Sequence, residues 1–278
     1  MDSYAKHFDS DLWSAIFKGV LYPIFSNMET KKNREQWIKD TSEKSLKLLV
    51  GLFSKYFDFL KFEFSNVMKL FGEIIDQKNE ILSRIVNSCL IEFCIECGEK
   101  LTKEQWDEIS ELLCHFSVKY STSLGITESQ CRNQLITIES INEIAFGHYK
   151  TIQVSHLISL IKTLDLIYSS SFELYQLKSS NEMKQILLRQ RLESMTISLN
   201  ILLKMFSDEK RTKDAEPILI EKYSEIFKAY EENMTKKTPI IEHVIVPLMV
   251  IVLTGIHSFS DEQVSFYSIF FSKTNFFF

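Results

Sequence analysis

Large apolar residues return every three or four positions along nearly the whole chain, and very little in the sequence interrupts them. Seven glycines and four prolines in 278 residues leave few places for β-turns, so long regular elements joined by short polar loops are expected. A hydrophobic share of 45% with 25% charged residues supplies both a core and a solvated surface. One amphipathic helix alone recovers less from its buried side chains than it loses in conformational entropy. Helices of this kind must therefore stack on their sequence neighbours.

The stretch Gln77 to Trp106 shows how such helices are punctuated. Asn79 stands where an N-cap accepts from a first-turn amide, and Glu80 places a negative charge at the positive helix end. Leu82, Val86, Cys89, Phe93 and Cys97 then share one face, while Ser83, Arg84, Asn87 and Glu92 fall mostly elsewhere. Gly98 is expected in the left-handed position that ends a helix, and Thr102 with Gln105 forms a capping box ahead of Trp106.

The same grammar runs through the chain. Ser10 or Asp11 caps a first helix carrying Leu12, Ile16, Val20 and Phe25. Leu46, Leu49, Phe53, Tyr56 and Leu60 mark a second, with Gly51 inside it. Val67 to Ile75 gives a third, Trp106 to Phe116 a fifth, and Thr127 with Gln130 caps a sixth that Gly147 stops. Leu157 to Ile167 is a seventh, frayed or bent at Ser169 to Ser171, and Glu182 to Gln190 an eighth that either stands alone or merges with Met195 to Phe206. Pro217 fits the first turn of the next helix, Thr238 with Pro239 repeats that start, and Ser260 with Gln263 makes another capping box before Phe266.

About twelve antiparallel helices, a pair every 40 or so residues, is the spacing of an all-α HEAT/armadillo-like α-solenoid, and a compact bundle is the rival. The chain reads as a single helical-repeat region, 1–278, or as two sub-blocks, 1–150 and 151–278. A formal net charge of -5 argues against a nucleic-acid partner and favours protein partners. Five cysteines without framework spacing and the polar start MDSYAKHFDSDLW suggest the cytosol.

Chemistry is harder to find. Cys94, Cys97 and Cys114 approach a zinc-ribbon pattern, but Ser117 stands where a fourth ligand belongs and His115 adjoins Cys114 awkwardly, so packing is the expected role. Glu80 and Arg84 could bind a partner, but the spacing is that of an ordinary intrahelical pair, and Asn87, if buried, needs a partner such as a loop backbone. The uncharged run Val244 to Ile256, ended by His243 and His257 and kinked by Pro247, is thirteen residues long, short of the roughly 20 needed to cross a bilayer. Lipid contact by this run or by Phe276 to Phe278 would be peripheral at most. No phosphate loop, nucleophile elbow or paired-histidine motif is present, so no residue is assigned a catalytic, cofactor-binding or metal role.

One resemblance narrows the function. Gln77, Asn79, Glu80, Arg84, Asn87, Cys89, Leu90, Gly98, Glu99, Lys100, Trp106 and Asp107, followed by QLITIESINEIAF at 134–146 and LIKTLDLIYSSSFELY at 160–175, stand in the order of a known family. The chain resembles the C-terminal homology regions of the large, brefeldin A-inhibited Arf guanine-nucleotide exchange factors. The resemblance implies a regulatory region acting in Golgi vesicle trafficking, peripheral to trans-Golgi membranes and binding small GTPases of the Arf or Rab class or the rest of the exchange factor. In that family a separate upstream domain drives GDP release through an inserted acidic residue, and no counterpart of it is seen in this sequence. The chain is then a fragment, a truncated gene model or a stand-alone relative, not an enzyme. A stand-alone HEAT-type adaptor unrelated to Arf is the alternative.

Overall fold

The computed structural model describes residues 8–26, 41–76, 80–121, 127–177, 180–233 and 239–257. Among these residues every regular element is helical and no strand occurs. The helices are α1 (Ser10–Ile16), α2 (Pro23–Ser26), α3 (Glu43–Lys55), α4 (Phe57–Leu60), α5 (Phe64–Asp76), α6 (Glu80–Cys97), α7 (Lys103–Ser121), α8 (Glu128–Gly147), α9 (Val154–Leu177), α10 (Asn181–Phe206), α11 (Thr212–Asn233) and α12 (Val246–His257). They fall into two units, Met1–Tyr120 with Arg132–His156, and Ser121–Cys131 with Leu157–Phe278.

In the first unit α6 lies against both α3 and α5. Its apolar stripe is buried as expected, from Leu82 through Val86, Cys89 and Phe93 to Cys97. Ser83 and Asn87, which lie off that stripe, are buried too, because a helix packed on two sides covers more than one stripe. Phe53, Phe57, Phe64 and Phe93 meet with ring centroids 5.4 to 6.5 Å apart and form an aromatic centre. Ser65 donates to Glu108 Oε1 at 2.8 Å and His115 meets Asp76 at 3.0 Å, so low-numbered pairs with low and high with high. Helices α5 and α7 therefore run parallel, as alternate members of a stacked series do when α6 returns between them.

The second unit is built on three long helices. Tyr168, Ser171 and Tyr175 of α9 meet Arg191, Gln190 and Lys184 of α10 in reversed order, which makes that pair antiparallel. Helix α11 packs on α10, and α12 packs on both. Stacking of sequence neighbours within each unit is solenoid-like.

Several expectations need correction. The first helix is capped by Asp9, whose carboxylate accepts from the Leu12 amide at 2.8 Å, and it buries Trp13 and Phe17, leaving Leu12 and Val20 exposed. The face rotates by one residue because the larger rings join Phe8, Tyr56 and Phe53. The second helix ends at Lys55, since Tyr56 leaves the helical region at φ -109°, ψ 23°, and Leu60 belongs to α4. Helix α9 does not fray at Ser169 to Ser171, where the Ser170 and Ser171 hydroxyls donate back to the Ile167 carbonyl. Of the two readings of the eighth segment the merged one holds: it forms one helix with the ninth, α10, with Gln190 buried in its middle.

Pro217 lies inside α11, beyond its first turn. The preceding charged loop already winds into a helical start, with the Thr212 amide on the Asp208 carbonyl at 2.9 Å and the Ala215 amide on that of Arg211 at 3.1 Å. Pro247 sits at the second residue of α12, directly after the π-helical turn Ile241–Ile245. The widened turn accommodates the amide that Pro247 lacks, and a π-helical turn, Phe17–Leu21, likewise precedes Pro23. Both early capping boxes form: the Thr102 amide donates to Gln105 Oε1 at 3.0 Å, and the Thr127 amide to Gln130 Oε1 at 2.8 Å. The expected cap at Asn79, the start at Thr238, the capping box at Ser260 and the Phe276 to Phe278 tail lie outside the described residues.

Candidate functional site

The residues singled out by chemistry resolve into structure. Cys94 and Cys97 are both fully packed in α6, burial pushes both thiols up, and the Cys97 thiol donates to the Ser54 carbonyl at 3.7 Å. Cys89, behind them, is pushed up to about 12 by burial and by the neighbouring Glu92. Such thiols stay protonated and behave as small apolar groups. Cys114 lies on α7 with His115 turned to Asp76, and no group of three or more metal-ligating side chains converges among the described residues. Asn87 is buried as the sequence allowed, but its amide donates to the Thr137 hydroxyl on α8 at 3.3 Å rather than to a loop. Among the described residues no helix is long and apolar enough to cross a membrane.

Gly98 has a different task from the one expected. It opens a 3-10 turn, Gly98–Lys100, without entering the left-handed region, and the His148 imidazole lies directly on its backbone. A Cβ there would stand 2.6 Å from two atoms of that ring. The ring also faces Trp106 at 5.9 Å between centroids, and its burial holds the imidazole below the ordinary histidine range. Eight residues on, the buried His156 Nε2 meets Asp107 Oδ1 at 2.7 Å. The turn after α6, the start of α7, the end of α8 and the start of α9 are thereby fixed to one another. Glu63, a buried carboxylate of this unit, accepts from the Tyr22 hydroxyl and the Asn66 amide, both at 2.8 Å.

The second unit holds a charged cluster that leaves no trace in the sequence pattern. Lys222 of α11 is buried and its ammonium donates to Asp165 of α9 at 2.5 Å, while that carboxylate remains partly in water. Arg191 of α10 lays its guanidinium over the rings of Tyr168 at 4.1 Å and Phe172 at 4.4 Å, and donates to the Tyr168 hydroxyl at 2.8 Å. Glu221 and Glu225 join Asp165 around a hollow of about 160 Å³ beside this pair. Nearby, the Gln190 amide donates to the Cys131 carbonyl at 2.6 Å and lies 3.1 Å from the Ser171 hydroxyl. The arrangement fixes three helices and leaves carboxylates at their surface.

Comparison with known proteins gives these surfaces a context. The chain is 26% identical over 119 residues to the ADP-ribosylation factor guanine nucleotide-exchange factor SEC7 of Saccharomyces cerevisiae, covering 40% of the chain and 6% of that protein. It is 26% identical over 117 residues to the exchange factor sec71 of Schizosaccharomyces pombe, covering 38% of the chain and 6% of the relative. Against the brefeldin A-inhibited guanine nucleotide-exchange protein 3 of Arabidopsis thaliana the identity is 23% over 124 residues, 38% of the chain and 7% of that relative. The chain thus spans only a small part of the length of these relatives, and no solved structure matches it. Residues 132–274, just over half of the sequence, match the model of the BIG2 C-terminal domain, and the chain therefore belongs to that family.

Proposed function

We propose that this chain is a regulatory and interaction region of a large Arf guanine-nucleotide exchange factor acting in Golgi vesicle trafficking. It docks small GTPases of the Arf or Rab class, or other parts of the same exchange factor, on the outer faces of a HEAT- or armadillo-like stack spanning 1–278, and it does not itself catalyse exchange. One observation carries this: the match of residues 132–274 to the BIG2 C-terminal domain, together with relatives named as ADP-ribosylation factor exchange factors. The partly exposed carboxylate of Asp165, held in place by buried Lys222, supports docking of a charged partner in the same span.

Two assays test the proposal. The purified chain, added to Arf loaded with a fluorescent GDP analogue, is expected to leave nucleotide release at its spontaneous rate, and measurable acceleration refutes the non-catalytic part. Biosensor titration of the chain against GDP- and GTP-loaded Arf and Rab proteins is expected to show saturable binding to at least one, with Glu221→Gln and Glu225→Gln, which leave the Lys222 pair in place, weakening it. Binding to none of them, nor to the exchange domain of a relative, refutes the docking part. In cells, a fluorescent fusion of the chain is expected at Golgi membranes, and a uniformly diffuse signal refutes that placement.

A further inference from the structure

We propose that the groove between α5 and α7 in the first unit binds a basic amphipathic helix of a partner polypeptide. The inference does not rest on the Arf reading, since the groove is lined by residues 65–115, outside the family-matched span. Its hollow is about 410 Å³, and its floor is Met68, Gly72 and Leu112. Cross-links close its two ends, Ser65 to Glu108 at 2.8 Å and Asp76 to His115 at 3.0 Å. At 1.5 Å rise per residue these stand roughly 10 to 16 Å apart along the helices, room for two to three turns of a docked helix.

Two independent features point to such an occupant. The rim carries Glu73, Asp76, Glu108 and Glu111 against Lys69, which itself lies 3.9 Å from Glu73, so the field over the apolar floor is negative. A basic helix with an apolar stripe is complementary to both, whereas an anionic membrane surface would be repelled. The second feature is Gly72. Glycine inside a helix weakens it relative to alanine, and here packing does not require it: a methyl at position 72 would stand 3.7 Å from Leu112 Cδ1, an ordinary contact. The missing side chain keeps the floor open.

The test uses the full chain and fluorescence anisotropy of a labelled 15-residue Lys/Leu amphipathic helix, with a Glu/Leu helix of the same apolar pattern beside it. The basic probe is expected to bind, more weakly at high salt, and the acidic probe is not. Gly72→Leu, which fills the floor, is expected to abolish binding. Glu108→Gln with Glu111→Gln is expected to weaken it about five- to tenfold without removing the Ser65 acceptor. Glu231→Gln with Glu232→Gln on α11 is expected to leave it unchanged. The proposal is overturned if neither probe or both probes bind, if the α11 pair weakens binding as much as the groove pair, or if neither groove variant affects it. It is equally overturned if the groove variants abolish binding of phosphatidylserine vesicles or break up a dimer of the chain.

Discussion

Replacing Gly98 by alanine tests whether the joint after α6 is held by close approach or by backbone freedom. The added methyl would lie 2.6 Å from Cε1 and Nδ1 of His148 and 2.9 Å from Cγ, so the imidazole must retreat by about 1 Å to restore ordinary contact. That retreat is opposed, because the ring is packed toward Trp106 and His148 is 9% exposed. Overpacking of this kind costs roughly 1–3 kcal/mol, and the lower chain entropy of alanine offsets about 0.4–1 of it. From the middle of both ranges the expected net loss is about 1.3 kcal/mol, read as a lower urea midpoint at unchanged slope by tryptophan fluorescence. In a His148→Ala background the obstacle is gone, so the two substitutions should couple by a similar amount. Wild-type stability of Gly98→Ala, or a penalty that survives intact beside His148→Ala, would refute the close-approach account.

Three further outcomes follow from the same geometry. Burial holds the His148 imidazole below its ordinary value, so the unfolded chain takes up that proton first as pH falls; the stability tied to it is present above about pH 6.5 and is lost as pH drops toward the folded value. Urea titrations between about pH 8 and pH 5 should show this loss, and His148→Gln should flatten it; an unchanged slope argues otherwise. The Lys222 side chain is 7% exposed and that of Asp165 37%, so Asp165→Ala strands a buried ammonium at a cost of roughly 3–5 kcal/mol, while Lys222→Met lets the carboxylate rehydrate at about 1–2, and equal losses by denaturation would contradict this asymmetry. Gly51 is exposed inside α3 with open space where a Cβ would go, so Gly51→Ala should stabilise by about 0.5–1 kcal/mol, and a destabilised variant would show that α3 needs a glycine there.

What could be read from the sequence was local. The stripes of α5, α7 and α8, and the capping boxes at Thr102 and Thr127, depend on residues three or four apart, and these appear as expected. The rotation of α1 was hidden because Leu12 and Val20 satisfy the same spacing as Trp13 and Phe17, and the choice is made by rings on other helices. Gly98 and His148 are 50 residues apart, and Asp165 and Lys222 are 57 apart, so neither relation leaves a periodic trace. Asn87 signalled that it needed a partner without naming Thr137. Pro217 looked like a helix start because the charged residues before it gave no sign of winding early.

Gln190 has a mechanical consequence. Its amide, 0% exposed, is keyed to the Cys131 carbonyl and set beside the Ser171 hydroxyl. Sliding α10 by one turn, about 5.4 Å, would drag this key out of its lock and strand it in a dry interior. Any rearrangement of the second unit is therefore steered away from shear of α10 along α9.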